Sequence, residues 1–212
     1  MTAVASHRLS VLALIPLLAC NGGTAPPGAP ANVVKTGGDA QQWYFNNTLP
    51  LPYGVQVTDA NASPVPGIKV VWTIELGVGS SLSADTTTTD AAGLTSNTHT
   101  LSAATTYVVR ATVEGLPPVI FSATAQAPPT SDSVTVKDNL YEKGTVVIKV
   151  NGSVTWGWAG ANNHSVTFGT GNPTSPTQST GNYTLPFSTT GTFDYHCKVH
   201  GSGMSGKVIV VN

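Results

Sequence analysis

The sequence predicts an all-β protein built from two successive β-sandwiches. Beyond the N-terminal segment there is no helix-period apolar pattern, and charged residues are scarce, at 9% of 212 residues. Short runs of alternating apolar and polar residues recur between clusters rich in Gly, Pro, Asn and Asp, as is typical of half-buried strands joined by turns. The Pro-containing stretch 128–132 separates two groups of such runs and is interpreted as a linker between domains at 33–127 and 133–212.

The first 32 residues precede the predicted strands. Residues 1–19 include an apolar run that is too short to span a bilayer but has the length of an export signal. The run ends in Leu17-Leu18-Ala19-Cys20, which resembles the bacterial lipobox. That resemblance implies cleavage before Cys20 and lipidation of its thiol, and the alternative is an ordinary cleaved signal with an incidental cysteine. Residues 20–32, rich in Gly and Pro, are interpreted as a flexible tether.

Residues 33–127 show apolar residues with the period of two that places them on one face of a strand. Turn compositions at 59–67 and 89–93 separate these strands. The predicted inward residues are Val55, Val57, Ile68, Val70, Trp72, Ile74, Tyr107, Val109, Ala111, Val113, Val119, Phe121, Ala123 and Ala125.

A composite pattern runs through this region: Val-x-Asp, Pro-Val-Pro-Gly, Val-x-Trp and Thr-Thr-Asp-Ala-x-Gly. It resembles bacterial Ig-like domains of the invasin and intimin group, which implies an Ig-like β-sandwich that serves as a spacer or adhesive module. The Cys…Trp…Cys arrangement of true immunoglobulin domains is missing, so we expect the core to pack around Trp72 alone. His99 carries the only imidazole of this region, and we expect it at the surface.

Residues 133–212 contain a second set of strands. Val146, Ile148 and Val150 alternate up to Asn151-Gly152, a strong signal for a two-residue hairpin leading into the strand of Val154 and Trp156. Near the C-terminus, we expect a strand that ends at Cys197, a Gly-Ser-Gly loop at 201–203 and a last strand at 207–211.

Four side chains of this region form a candidate metal centre. Cys197, His200 and Met204 lie within eight residues. His164 is two residues before Val166, so it is predicted to lie on the same inward face of the strand. A thiolate, two imidazoles and a thioether are the ligand set of a blue-copper electron-transfer site. The alternatives are zinc, which rarely takes a thioether, and a buried cysteine with unrelated His and Met neighbours.

The order Gly-x-Phe-x-Tyr-x-Cys-x2-His-x3-Met-x-Gly-x-Val-x-Val at 191–210 resembles the plastocyanin and amicyanin branch of the cupredoxins. The resemblance covers about 133–212. It implies a Greek-key β-sandwich or barrel with one type 1 copper ion. By the same resemblance, His164 and His200 supply imidazoles, Cys197 the thiolate and Met204 the axial thioether, with His200 as the electron exit.

Two residues beside the predicted ligands raise separate expectations. Relatives often have Pro before the C-terminal ligand His, whereas Val199 keeps an N–H that we expect to donate to the Cys197 sulfur and raise the potential. A His beside the blue-copper Cys bridges to a second copper in oxidases and nitrite reductases. Strand alternation directs His196 to the opposite face, so we expect a surface residue there.

Together these patterns predict an exported, lipid-anchored electron carrier of the bacterial cell envelope. We expect a monomer that exchanges electrons with redox partner proteins and attaches to the membrane through Cys20. A net charge of −1 gives no reason to expect nucleic acid as a partner. No nucleophile–base pair or carboxylate dyad indicates an enzyme. The alternatives are a copper store or chaperone, which Met- or His-rich tracts would favour, and an adhesion module with an incidental copper site.

Overall fold

Every regular element is a β-strand in the computed structural model, which describes residues 28–169 and 171–212. The predicted all-β fold class is confirmed. The predicted signal at 1–19, Cys20 and the tether up to residue 27 lie outside the described residues. Within the described ranges, no helix is long and apolar enough to cross a membrane.

The first ten strands enclose one hydrophobic core. They form sheets in the orders β1-β3-β7 and β2-β10-β9-β4-β6, with a short β5-β8 ladder. The bounds are β1 (Asn32–Gly37), β2 (Gln41–Tyr44), β3 (Tyr53–Thr58), β4 (Lys69–Leu76), β5 (Ser81–Leu82), β6 (Thr86–Thr88), β7 (Leu94–Asn97), β8 (His99–Thr100), β9 (Thr106–Thr112) and β10 (Val119–Gln126).

The predicted alternation of this first sandwich is confirmed. Val55, Tyr107 and Val109 are fully buried, and the residue that follows each of them along its strand is partly or fully exposed. The expectation that the core packs around Trp72 alone is wrong. Tyr53 and Phe121 are fully buried beside it, with ring centroids 4.8 Å apart. Phe121 packs against both Tyr53 and Trp72, so the core is built on several aromatic side chains rather than on Trp72 alone.

The surface position expected for His99 is also wrong, because this side chain is fully buried. Its Nδ1 lies 3.2 Å from the Tyr53 hydroxyl and its Nε2 lies 2.9 Å from the Ser80 hydroxyl. The ring also packs edge-on against Tyr107. A buried imidazole is tolerated here because both of its nitrogens have hydrogen-bond partners.

The remaining eight strands enclose a second core. Their sheets have the orders β12-β11-β14-β16 and β13-β18-β17-β15. The bounds are β11 (Ser131–Lys137), β12 (Leu140–Glu142), β13 (Thr145–Lys149), β14 (Gly152–Trp158), β15 (Thr167–Phe168), β16 (Asn182–Phe187), β17 (Gly191–Cys197) and β18 (Gly201–Val211).

The hairpin predicted at Asn151-Gly152 does not form. Strand β13 pairs with β18, and β14 pairs with β11 and β16, so the turn carries the chain from one sheet to the other. Asn151 adopts the positive φ that such a turn needs. The hydrophobic pattern decides the outcome, because Ile148 and Trp156 both face the same core from opposite sheets.

The final hairpin joins β17 to β18, but its turn lies earlier than predicted. Lys198 to His200 make the turn, and Gly201 pairs with Cys197 as the first residue of β18. Gly201 to Gly203 therefore belong to the last strand. The amide of His200 donates to the carbonyl of Cys197 at 3.1 Å, which closes this short turn.

The two ends of the second sandwich differ: one carries the predicted ligands, and the other contacts the first sandwich. The turn at 198–200 and the end of β11 lie at one end, while Gly152 and Asn212 lie at the other. At about 3.3 Å per residue, the 11 residues of β18 span roughly 35 Å between them. At the far end, Asn212 hydrogen bonds to the side chain of Asn47 in the first sandwich. The end that carries Cys197 and His200 therefore faces away from the first sandwich.

Candidate metal centre

Three of the four predicted ligands meet at one end of the second sandwich. Cys197, at the end of β17, and His164, in the loop before β15, are fully buried. His200 lies in the turn that follows Cys197 and is exposed. The potential ligand atoms of these three residues all lie within 4.8 Å of one another. Within residues 28–169 and 171–212, this is the only group of three or more His, Cys, Asp or Glu side chains placed to hold a metal ion.

The separations suit a single shared ion. Cys197 Sγ lies 3.7 Å from His164 Nδ1, and the two imidazole centroids are 4.9 Å apart. Bonds of about 2.0 Å to nitrogen and 2.3 Å to sulfur, the values for zinc, are compatible with such a separation. A soft sulfur and two imidazoles at these distances match the donor preference of copper.

Met204 approaches the same region from β18. It is 2% exposed and belongs to the hydrophobic cluster that contains Cys197 and Val166. A buried thioether in that cluster is compatible with the axial position, and its role as the fourth ligand stays a prediction.

Main-chain hydrogen bonds fix His164 in place. Its N–H donates to Gln178 O, and its carbonyl accepts from Gln178 N, both at 2.9 Å. The same carbonyl accepts from the indole N–H of Trp158 at 3.2 Å. The backbone of His164 is therefore held at the site even though β15 begins only at Thr167.

Sequence reasoning missed two polar side chains next to the ligands. The Ser165 hydroxyl accepts from the amide of Lys198 at 2.9 Å and so joins the His164 loop to the turn after Cys197. Asp138 Oδ1 lies 3.4 Å from His164 Nε2. Asp138 and His164 are 26 positions apart in the sequence, and no motif with that spacing indicates the contact.

Near the site, hydrogen bonding favours an ionised Asp138 carboxylate, and burial favours neutral Tyr141 and Tyr195 phenols. The amide N–H groups of Asn162 and Ala161 donate to Asp138 and lower its pKa, and the His164 imidazole contributes in the same direction. Burial raises the pKa of Tyr141, and the nearby Cys197 adds to this effect. Burial also raises the pKa of Tyr195 to about 12. Both phenols therefore stay protonated at neutral pH.

The two other expectations near the ligands have different outcomes. His196 is half-exposed and lies between the buried Tyr195 and Cys197, on the opposite face of β17 as expected. The hydrogen bond expected from Val199 to the Cys197 sulfur does not occur in the described part of the chain. The sulfur instead has His164 Nδ1 as its polar neighbour. In the same turn, the amide of His200 donates to the carbonyl of Cys197.

Comparison with known proteins gives structural neighbours only. No protein-family profile and no curated protein matches the chain. An amicyanin variant in its reduced Cu(I) form is 33% identical, with 38% of this chain and 82% of that chain covered and a TM-score of 0.36. An oxidised amicyanin variant is 30% identical, with 41% and 87% covered and a TM-score of 0.36. A purple cupredoxin from Nitrosopumilus maritimus is 18% identical, with 38% and 99% covered and a TM-score of 0.35.

Proposed function

We propose that residues 133–212 form a cupredoxin domain and that the protein carries single electrons through one type 1 copper ion. The proposed ligands are His164, Cys197, His200 and Met204. The observation that carries the proposal is the convergence of a buried cysteine and two histidines, with ligand atoms within 4.8 Å, at one end of a β-sandwich.

The donor set favours copper over zinc. Structural zinc sites are usually closed by additional cysteines and rarely recruit a thioether. Here a single thiol and two imidazoles lie together, with a buried methionine in the adjoining core. When bound, copper supplies a one-electron couple whose reduced state prefers soft sulfur and whose oxidised state prefers nitrogen. A ligand set that contains both kinds of donor tolerates both oxidation states.

Burial divides the roles of the proposed ligands. Cys197 and His164 are fully buried and held by strand pairing, so they keep water from the site and resist rearrangement. Of the three clustered residues His200 alone is exposed, and Val199 beside it is 56% exposed. A partner protein docked on this end would therefore approach the site through the His200 imidazole. We infer an electron carrier rather than an enzyme, because the exposed His200 imidazole offers an electron a route to the buried Cys197.

Copper loading of the full chain tests the proposal. Addition of Cu(II) should produce an intense visible absorption band and the EPR signal of a type 1 site, both of which depend on the Cys197 thiolate. Cys197→Ser should abolish the colour, whereas the matched ligand variant Met204→Leu should stay blue with a changed potential. A Cys197→Ser protein as blue as wild type would show that the ligand assignment is wrong.

The wider setting of this domain is part of the same proposal. We infer that the chain is exported to the bacterial cell envelope, anchored through Cys20 and active as a monomer with redox partner proteins. The first sandwich, which we take to be Ig-like, would act as a spacer. This arrangement is supported by the strand directions, because the Cys197 end of the second sandwich faces away from the first sandwich.

A further inference from the structure

The carboxylate of Asp138 lies where it can control one of the proposed ligands. Asp138 follows β11, in the two-residue turn that leads into β12. Its Oδ1 lies 3.4 Å from His164 Nε2 and also accepts the amide N–H of Asn162 at 2.8 Å. Its Oδ2 accepts the amide N–H of Ala161 at 3.1 Å. One side chain thus contacts both the imidazole and the loop that precedes it.

We propose that Asp138 is a positioning residue that sets the tautomer and the ring orientation of His164, so that Nδ1 presents its lone pair toward Cys197. The proposal deepens the proposed function and rests on it for the identity of the metal. The part that concerns the imidazole itself is independent of copper.

The tautomer follows from donor and acceptor counting. An ionised carboxylate only accepts hydrogen bonds, so the ring nitrogen that faces it must carry the proton. That nitrogen is Nε2, and a neutral His164 then has its lone pair on Nδ1. Nδ1 is the nitrogen that lies 3.7 Å from Cys197 Sγ. The nitrogen nearest the sulfur is therefore free to bind a metal ion.

The loop around the carboxylate is built for this close approach. A Cβ added to Gly160 would lie 2.5 Å from Asp138 Oδ1 and 2.8 Å from its backbone nitrogen. Any side chain at residue 160 would therefore push the carboxylate or the loop away. Because the contact to His164 is already long for a hydrogen bond at 3.4 Å, a small displacement would break it.

A purely structural role for Asp138 predicts a different outcome. If the carboxylate only caps the loop through Ala161 and Asn162, its removal would lower stability without changing the imidazole of His164. Metal-bound histidines usually donate their second N–H to a neighbouring acceptor, and loss of that acceptor typically lowers metal affinity about 10- to 100-fold. A positioning role therefore predicts a change in the His164 tautomer and in copper affinity when Asp138 is removed, whereas a loop-capping role predicts neither.

The primary experiment measures the tautomer of His164 in the metal-free full chain by 15N NMR of the imidazole. Wild type should show the Nε2–H tautomer, and Asp138→Ala should show a mixture. Gly160→Ala, which keeps the carboxylate but displaces it, should shift the ring in the same direction. Asp132→Asn removes a similar charge from the opposite end of β11 and should leave His164 unchanged. A wild-type ring with its proton on Nδ1 would overturn the proposal whether or not any variant folds.

Copper titration supplies the second readout. Asp138→Ala should bind Cu(II) about 10- to 100-fold more weakly. If the affinity for Cu(II) falls by a factor ten times larger than the affinity for Cu(I), the reduction potential of the copper couple should rise by about 59 mV. Affinities within twofold of wild type, together with an unchanged tautomer, would refute the positioning role. If wild type binds no copper, the proposed function fails, while the NMR result still decides what Asp138 does to His164.

Discussion

Acidification should destabilise the first sandwich through His99. The ring is fully buried, and burial lowers its pKa from 6.5 to about 4. The unfolded chain therefore binds a proton near pH 6.5, whereas the folded chain resists it until about pH 4. Stability is fully present above pH 6.5 and is lost as the pH falls from there toward 4.

The magnitude follows from the two pKa values. At about 1.4 kcal/mol per pH unit, the fall from 6.5 to about 4 corresponds to a loss of roughly 3 kcal/mol below pH 4. About 2 kcal/mol of this should already be lost between pH 7 and pH 5. Because carboxylates titrate mostly below that range, the interval isolates His99 from acidic groups such as Asp59.

Amide hydrogen exchange in β9 measures the effect without requiring the whole chain to unfold in one step. The free energy of opening at Val109 and Ala111, both fully buried, should fall by about 2 kcal/mol between pH 7 and pH 5. In His99→Gln the absolute stability is expected to be lower, since Tyr53 and Ser80 lose an ideal partner, but the slope with pH should largely disappear. An unchanged slope in His99→Gln would refute the assignment to this imidazole.

Two further predictions concern other parts of the chain. Cys20→Ser should move the protein from the membrane fraction to the soluble fraction after cell fractionation, and continued membrane association would contradict the lipid anchor. Gly206→Ala should destabilise the second sandwich by about 1–3 kcal/mol in urea unfolding, because a Cβ there would lie 2.4 Å from Gly144 O and 2.5 Å from the Tyr195 hydroxyl. Gly169→Ala, which has open space, serves as its control, and equal midpoints for the two variants would argue against the clash.

The part of the candidate centre that depends on residue type and on strand alternation could be predicted from the sequence. Cys197 and His200 are close in sequence, and His164 has the parity of Val166, so their meeting could be expected from the pattern alone. Asp138 could not, since it reaches His164 across 26 residues through a turn whose composition indicates only a turn. The long contact depends on how β11 and β14 place their ends side by side.

The same division holds for the fold. Alternation along each strand is a local property with a period of two, so the amino-acid sequence by itself determined which residues of β9 and β14 face inward. Partner choice is not local. Asn151-Gly152 favours a tight turn, but only the packing of two sheets decided that β13 and β14 belong to different ones.

For the first sandwich, the sequence determined an apolar core and the tertiary structure decided that an imidazole belongs in it. His99 is buried because Tyr53 and Ser80, 46 and 19 residues away, satisfy its two nitrogens. A polar residue next to a turn carries no information about such distant partners. Burial of a polar group is decided by the hydrogen bonds available once the chain has folded, and those bonds exist only in the tertiary structure.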